Sequence, residues 1–150
     1  MMMEARVITL MPIGHVESGF SEATPPAEMR QRRSRLVVQP RFAAGLEGLE
    51  PGQYIVVLFY LHKSEGYALR QHPRGDTSRP MRGVFALRSP RRPNPIGLTV
   101  VRIEAVEGNV LHVSGLDALD GTPLLDIKPY VPVFDGVVEE QCEQGETAGG

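Results

Sequence analysis

The residues best suited to chemistry fall in two dense segments, 83–97 and 116–130. The first segment places Arg88, Arg91 and Arg92 in a run that also holds three prolines. Proline fixes its own φ and disfavours helix at the residue before it, so the run predicts a stiff, non-helical loop. Guanidinium groups on a stiff loop lose little freedom on binding, and they suit a carboxylate or a phosphate.

The second segment holds three aspartates, Asp117, Asp120 and Asp126, and one lysine, Lys128. An Asp-Gly pair predicts a turn in the middle of this segment, and a Lys-Pro pair predicts where the segment ends. Carboxylates in such a turn suit a ribose or an ammonium group. The simpler alternative for Asp120 is a turn former that bonds nearby backbone amides. The polar density of the segment favours a functional role over a plain connection.

Length and composition limit the class of protein. A chain of 150 residues is expected to form one domain with its own core. The single cysteine, Cys142, excludes an internal disulfide framework and fits a reducing cytosol. Residues 1–6 are too short and too polar for a signal peptide, and no apolar run approaches the ~20 residues that span a bilayer. We therefore expect a soluble cytoplasmic protein without membrane contact.

The net charge of −2 conceals a basic body. Residues 135–150 hold five acidic side chains and no basic one, which predicts a disordered acidic tail. The rest of the chain has 16 basic and 13 acidic residues, and 12 of the basic ones fall within 30–41 and 70–92. Fourteen of the 16 are arginine, which binds phosphates and stacks on bases. This favours nucleic-acid contact over a merely solvated surface.

Metal and thiol chemistry are not expected. The four histidines, His15, His62, His72 and His112, stand at no metal-ligand spacing, and there is no second cysteine. Cys142 lies in the acidic tail, which is a poor setting for a nucleophile.

The pattern of apolar residues predicts a mainly β fold. Residues 54–61 are apolar without alternation, which indicates a strand covered on both faces, whereas 98–106 alternates cleanly. No GxGxxG follows a strand into a helix, so a doubly wound nucleotide site is not expected. We predict a small antiparallel β-barrel of about six or seven strands with one or two short helices in residues 1–134. The expected elements are strands over 6–11, 35–39, 54–61, 84–88, 98–106 and 110–115, a helical turn over 41–49, a polar loop over 64–82 and an extended piece over 130–134.

Both segments resemble the signature of the TsaA-like (TrmO) family. Gly83–Gly97 is similar to the family's GVFATRSPxRPNPIG-like loop, with Leu87 in place of the usual threonine. Leu116–Tyr130 matches its LDxxDGTPxxDIKPY-like loop throughout. The similarity is strong from about Gly45 to Pro132. Before that it is thin, and Glu17 stands where the family usually has a basic residue.

The resemblance implies a function. Characterised members of the family use S-adenosylmethionine to methylate the threonylcarbamoyl-adenosine next to the tRNA anticodon. They do so in a small barrel whose site is completed by a second subunit. The resemblance therefore implies an S-adenosyl-L-methionine cofactor, a tRNA partner and a homodimer.

The resemblance and the residue chemistry together assign candidate roles. The candidates for cofactor binding are His62, Lys63, Phe85, Arg88, Arg92, Leu98, Asp117, Leu119 and Asp120. Those for positioning the acceptor or removing its proton are Asp126, Lys128 and Tyr130, without a choice among them. Those for nucleic-acid contact are Arg74, Arg79, Arg82 and Arg91.

Two alternative functions stay open on the sequence. One is a methyltransferase of the same kind that acts on a small metabolite or peptide. The other is a non-enzymatic nucleic-acid-binding barrel, which would account for the arginines but not for the aspartate-rich segment. Binding of S-adenosylmethionine separates an enzyme from a mere binder.

Overall fold

The computed structural model describes residues 6–22 and 24–137. Its strands are β1 (Gly14–Glu17), β2 (Arg33–Val38), β3 (Tyr54–Tyr60), β4 (Arg70–Gln71), β5 (Arg82–Gly83), β6 (Ile96–Glu107), β7 (Val110–Ser114) and β8 (Pro123–Pro129). Two one-turn helices are α1 (Pro26–Met29) and α2 (Pro132–Asp135), and three 3-10 segments cover Pro40–Leu46, Pro73–Gly75 and Val84–Ala86.

Six of the strands close into a barrel in the order β1-β2-β7-β6-β3-β8, and every neighbouring pair is antiparallel. β4 and β5 form a separate two-stranded sheet. This confirms the predicted mainly β fold, its antiparallel barrel and its few short helices. The helical turn expected over 41–49 is the 3-10 segment Pro40–Leu46.

The core sits inside the barrel and is centred on β3 and β6. Ile55, Val57 and Phe59 of β3 point inward and are buried, as are Val101 and Ile103 of β6. Such inward-facing aliphatic and aromatic side chains remove apolar surface from water, which is the main force that holds the barrel together. The alternation predicted for 98–106 is confirmed, and the strand predicted over 54–61 supplies buried core residues. Its outer face is not covered along its whole length, since Tyr54 and Tyr60 are exposed.

The barrel closes at Gly14. This residue of β1 lies opposite Val38 of β2 and Leu124 of β8. A Cβ at Gly14 would lie 2.1 Å from the carbonyl oxygen of Val37. Only a residue without a side chain therefore allows β1 to approach β2 this closely.

A bulge between β6 and β7 is held by Glu104. The register shifts between Ile103 and Ala105, and Glu104 accepts hydrogen bonds from Ser114 Oγ and Arg102 Nη1, both at 2.7 Å. These two bonds lower the pKa of Glu104 below its ordinary value. A carboxyl whose pKa is lowered by folding stabilises the native state at neutral pH. That stabilisation is lost as the pH falls through the lowered pKa.

The strand predicted over 6–11 is wrong, because these residues have no regular structure. Pairing at this edge begins only where Ile13 N donates to Leu124 O. Val7 and Ile8 are strongly exposed. Ile8 and Leu10 line a cleft with Tyr60, Ile96 and Leu125, so the segment lies against the barrel. Residues that favour strands form one only where their backbone pairs with a neighbouring strand, and no backbone hydrogen bond joins residues 6–11 to a described strand.

Three further expectations are corrected. Residues 84–88, expected as a strand, begin with the 3-10 segment Val84–Ala86. The pairing of β5 with β4 stops at Gly83, so the residues that follow have no strand to pair with. Residues 130–134, expected as extended, contain most of α2, where proline presets the first helical turn. The aspartate-rich segment 117–126 is a loop only to residue 122, since β8 begins at Pro123 and continues through Asp126.

Three long connections leave the barrel at one end. They are the first loop (18–32, between β1 and β2), the excursion (61–95, between β3 and β6, which contains β4 and β5) and the second loop (115–122, between β7 and β8). Antiparallel order requires this, because β1, β3 and β7 all end where β2, β6 and β8 begin. Both motif segments therefore adjoin the same end of the barrel, which we call the rim.

The closure at Gly14 gives a testable prediction. Gly14→Ala should lower the free energy of unfolding by about 2–3 kcal/mol, because the added methyl meets backbone rather than a movable side chain. Gly45→Ala is the matched control, since a Cβ at Gly45 has no atom within 4 Å. Urea unfolding of both variants checks this, and equal stabilities would contradict it.

Candidate active site

Hydrogen bonds join the three connections into one rim. Asp120 N of the second loop donates to Phe20 O of the first loop at 2.6 Å, and Ser18 N donates back to Asp120 Oδ1 at 2.9 Å. Lys63 Nζ of the excursion donates to Ser21 O of the first loop. Lys63 and Asp120, both expected in the cofactor site, therefore hold the same loop from two sides.

Asp117 is bonded through both of its carboxylate oxygens. Thr99 Oγ1 of β6 donates to Oδ1 at 2.6 Å, and Arg30 Nη2 donates to Oδ2 at 2.8 Å. Thr99 is 8% exposed, so its hydroxyl needs a partner inside the protein. Asp117 thus ties the second loop to the barrel wall and to the first loop. A ligand that used Asp117 would have to share or replace Arg30.

Asp120 is arranged differently. It is exposed, and its described partner is the Ser18 amide on Oδ1, across the rim rather than within its own turn. The adjacent Gly121 has φ +79°, which lets the chain reverse at this point. In the part of the chain that the structure describes, Oδ2 of Asp120 has no bonding partner, so it is available to a hydroxyl or an ammonium group.

Two arginines of the first motif, Arg92 and Arg88, differ in their partners. Arg92 Nη1 donates to the carbonyl oxygens of Leu87 at 2.9 Å and Ser89 at 3.2 Å, so it holds its own loop in shape. Arg88 is exposed, and its guanidinium has no partner among residues 6–22 and 24–137. Arg88 is therefore the member of this pair that can bind a carboxylate.

Gln71 braces the same loop from β4. Its Nε2 donates to Arg91 O at 2.7 Å, and its Oε1 accepts from Ser89 Oγ at 2.6 Å. Ser64 Oγ adds a bond to Pro90 O at 2.9 Å. The stiffness predicted from the prolines is thus supplied in part by side chains from elsewhere in the excursion.

The remaining cofactor candidates present apolar surface near this rim. Phe85 is 79% exposed and Leu98 is 46% exposed. His62 and Leu119 are half-buried, and Leu119 O accepts the Thr122 hydroxyl at 2.6 Å. Exposed apolar side chains such as Phe85 and Leu98 are the kind of surface on which a purine ring can pack.

Two of the three catalytic candidates lie on the outer face of the barrel. Asp126 of β8 lies opposite Leu58 of β3, which lies opposite Leu98 of β6. Directly opposite residues point to the same side of a sheet, and two strand spacings separate the backbones of Asp126 and Leu98 by roughly 10 Å. Lys128 Nζ forms an ion pair with Asp126 Oδ2 at 2.9 Å.

Tyr130 lies at the other end of the barrel. Its amide donates to Tyr54 O at the start of β3, at 3.0 Å. Together with Phe42 and the candidate Asp126 it lines a cleft of about 1070 Å³. At about 3.3 Å per residue, Tyr130 is roughly 20 Å along the strand from Leu124, so one subunit does not bring it together with Asp120.

The nucleic-acid candidates all lie on the excursion. Arg74 and Arg91 are exposed, and Arg79 and Arg82 are half-buried. Arg70, exposed on β4, belongs to the same surface, although its place in the 70–92 block alone did not single it out. Residues 61–95 contain eight basic and two acidic side chains, which gives this surface a strong positive field.

The tip of the excursion is an ordered turn. Asp76 Oδ1 accepts hydrogen bonds from the Ser78 hydroxyl at 2.6 Å and the Ser78 amide at 2.9 Å. These bonds lower the pKa of Asp76. Since the folded pKa is the lower one, the turn keeps this stabilisation at neutral pH and loses it only as the solution becomes strongly acidic.

Sequence reasoning missed Arg30 and Thr99. Thr99 carried a usable signal, because a hydroxyl at an inward position of an alternating strand must find a buried partner. Arg30 carried none beyond its membership of a basic block. Its pairing with Asp117 spans 87 residues of sequence, and only the closed barrel brings the two together.

Two features are absent from the described residues. Among residues 6–22 and 24–137, no group of three His, Cys, Asp or Glu side chains is placed to hold a metal ion. Over the same residues, no helix has the length and apolar content that crossing a membrane requires.

The fold and the rim define a small closed antiparallel barrel with two motif loops at one end. Residues 15–136 match the family described as the tRNA-methyltransferase O N-terminal domain. The chain belongs to this family, which confirms the resemblance drawn from the two motifs.

Individual relatives agree with this assignment. An S-adenosyl-L-methionine-binding protein of Archaeoglobus fulgidus is 43% identical over 138 residues, which cover 90% of this chain and 98% of that protein. The human tRNA (adenine(37)-N6)-methyltransferase is 39% identical over 135 residues, 83% of this chain. The crystal structure of TrmO from Pseudomonas aeruginosa superposes with a TM-score of 0.70 at 38% identity over 89% of this chain.

The relatives differ in length. The chain spans 60% of the Pseudomonas aeruginosa structure and 30% of the human enzyme, but almost the whole of the archaeal protein. The shared part is therefore the barrel with its rim.

The contrast between Arg92 and Arg88 can be tested by unfolding. Arg92→Ala should cost about 1–3 kcal/mol, because it removes the charge-assisted bonds to two carbonyls of its loop. Arg88→Ala should stay within about 0.5 kcal/mol of the wild type, since it removes an exposed side chain with no described partner. Urea denaturation of the two variants decides this, and a large loss in Arg88→Ala would show that its guanidinium is also structural.

Proposed function

We propose that this protein is an S-adenosylmethionine-dependent methyltransferase of the cytoplasm that methylates threonylcarbamoyl-adenosine next to the tRNA anticodon. Its membership of the tRNA-methyltransferase O N-terminal domain family supports the reaction class. The named relatives support the donor and the adenine-37 acceptor. The two motif loops that carry the family signature supply the residues.

One observation carries the proposal: both motif loops belong to a single hydrogen-bonded rim. The second loop is bonded to the first loop through Asp120, and the excursion is bonded to that same loop through Lys63. Ser64, next to Lys63, is bonded to the arginine loop at Pro90. A ligand with both a cationic and an anionic end can therefore meet Asp120 and Arg88 in one site.

The residues present fit S-adenosylmethionine. Arg88 matches the carboxylate of its amino-acid end, and the open oxygen of Asp120 matches an ammonium group or a ribose hydroxyl. Leu98 and Phe85 offer apolar surface to the adenine. When bound, the donor supplies an electrophilic methyl group. The task of the chain is then to align the acceptor nitrogen, since positioning removes most of the entropic barrier.

Asp126, Lys128 and Tyr130 are the proposed groups that position the acceptor or take its proton. A nitrogen of amide character is a poor nucleophile, so a nearby acceptor of its proton favours transfer. Asp126 shares the outer face of β8, β3 and β6 with Leu98, and Lys128 holds it through an ion pair. We place the reaction on the side of β8 that carries Asp126, where Tyr130 lines the same cleft.

The function is tested with labelled S-adenosylmethionine and total tRNA from cells that lack the protein. We expect methylated threonylcarbamoyl-adenosine after nucleoside analysis and, by calorimetry in excess chelator, metal-independent donor binding. Arg88→Ala should weaken donor binding about ten- to a hundredfold, the effect of one lost charge-assisted contact.

Two outcomes would contradict the proposal in different ways. Donor binding without any methylated tRNA would point to a methyltransferase of a small metabolite or peptide. tRNA binding without donor binding would point to a non-enzymatic nucleic-acid-binding barrel.

We also propose a homodimer that uses the outer face of β3 and β6. Leu98 and Val100 point outward on β6 and are 46% and 41% exposed, and Tyr60 on β3 is 42% exposed. A strand with apolar residues on both faces is expected to be covered on both, so its exposed outer face indicates a contact surface for a partner. A second copy of the chain fits because the same face carries Leu98 and Asp126, so pairing would enclose cofactor and catalytic candidates together.

The homodimer gives a further prediction. Leu98→Asp should dissociate the dimer in sedimentation experiments and abolish methyl transfer, because it places a charge in the apolar contact. Arg33→Asp is a control on β2, outside this face. If the wild type sediments as a monomer and still binds the donor fully, the dimer proposal fails.

A further inference from the structure

Arg74 has an unusual backbone conformation. It lies at the tip of the excursion with φ 53° and ψ 25°, and it is the one non-glycine residue with positive φ among residues 6–22 and 24–137. Residues with a side chain occupy this left-handed region at a cost, because Cβ crowds the following carbonyl. Glycine would occupy it freely.

Nothing within the described fold accounts for an arginine at this position. The side chain is exposed, and its guanidinium makes no hydrogen bond, ion pair or ring contact with any residue the structure describes. Within the described ranges, seven glycines adopt positive φ, including the adjacent Gly75 at 73°. Among these residues Arg74 is thus the exception to the use of glycine at positive φ, and such strain concentrates at functional sites.

The frame around Arg74 is rigid. Pro73 is buried, and His72 Nδ1 is hydrogen-bonded to Arg79 O at 2.8 Å across the base of the tip. The bonds from Ser78 to Asp76 close the other side. Because the tip is fixed, the guanidinium is presented outward with little loss of backbone entropy on binding.

We propose that Arg74 is a preorganised contact that grips a backbone phosphate of the tRNA substrate, and that the strained backbone is retained to aim it. This inference rests on the proposed tRNA methyltransferase function and adds a specific phosphate contact to it. The guanidinium fork matches a phosphate in two parallel hydrogen bonds.

The charge around the tip favours RNA over a second copy of the chain. Arg70, Arg79 and Arg82 lie on the same excursion, and Asp76 and Glu65 are its only acidic residues. The same surface on another copy would repel it, whereas a polyanion gains from every one of these charges.

The test measures stability and tRNA affinity on the same variants of the full chain. Arg74→Gly should raise Tm by about 2–4 °C, because it relieves the left-handed strain. Arg74→Ala should leave Tm almost unchanged, because alanine keeps the strain. Both should weaken binding of unmodified tRNA about ten- to a hundredfold. The slope of log Kd against log salt should fall by about 0.7–0.9, the value for one phosphate.

Arg70→Ala is the matched control, since it removes the same charge from the same excursion at a residue whose φ is not positive. We expect it to weaken tRNA binding only about twofold, as a screened neighbouring charge would. An equal loss in Arg70→Ala and Arg74→Ala would overturn the specific contact. So would a dimer weakened by Arg74→Ala with unchanged tRNA affinity, which would assign Arg74 to the partner subunit.

Failure of this inference can be told apart from failure of the proposed function. If the wild type methylates tRNA and both Arg74 variants bind tRNA as it does, the inference is wrong and the function stands. If the wild type binds no tRNA while it binds S-adenosylmethionine, the tRNA function itself is wrong.

Discussion

The rim of this barrel depends on the two hydrogen bonds that hold Asp117. Thr99 bonds one oxygen from inside the barrel wall and Arg30 bonds the other from the first loop. A buried hydroxyl and a carboxylate cannot both be left unpaired without a large desolvation cost, so the two fix each other's position. With Asp117 fixed, Asp120 falls one turn further on, where it can bond the Ser18 amide and still offer its second oxygen. The position of the proposed ligand group thus follows from a structural ion pair.

The arginines divide in the same way between structure and function. Arg92 and Arg30 are used inside the fold, on two carbonyls and on one carboxylate. Arg88 and Arg74 are exposed and lack partners within the described residues, although each stands in a segment braced by other side chains. Residue type and sequence position do not distinguish these two groups. Only the partners of each guanidinium do, which is why a basic block predicts a binding surface but not its binding residues.

Elements fixed by local pattern were predictable from the sequence, and elements fixed by distant partners were not. β6 and β3 can be recognised from the sequence, because the alternation of β6 fits a half-buried strand and the apolar run of β3 fits a buried one. Residues 6–11 are also rich in strand-favouring side chains but have no regular structure, and β8 was hidden in a segment rich in aspartate. For the site, the motifs predicted candidate residues, and the structure shows the partners of each. The roles of Arg30 and Thr99 required the barrel to be closed.

The place of the site follows from a mismatch in strand length. β6 has twelve residues and β7 only five, so β7 leaves its partner after Arg102 pairs with Ser114. The first six residues of β6 then pair with β3 alone, and their other edge is open. Gly115, at φ +100°, lets the chain turn across this edge so that Asp117 meets Thr99. The same open half of β6 carries Leu98 and Val100 outward. The loop proposed to bind the ligand and the face proposed to receive a second subunit therefore both follow from β6 extending beyond β7.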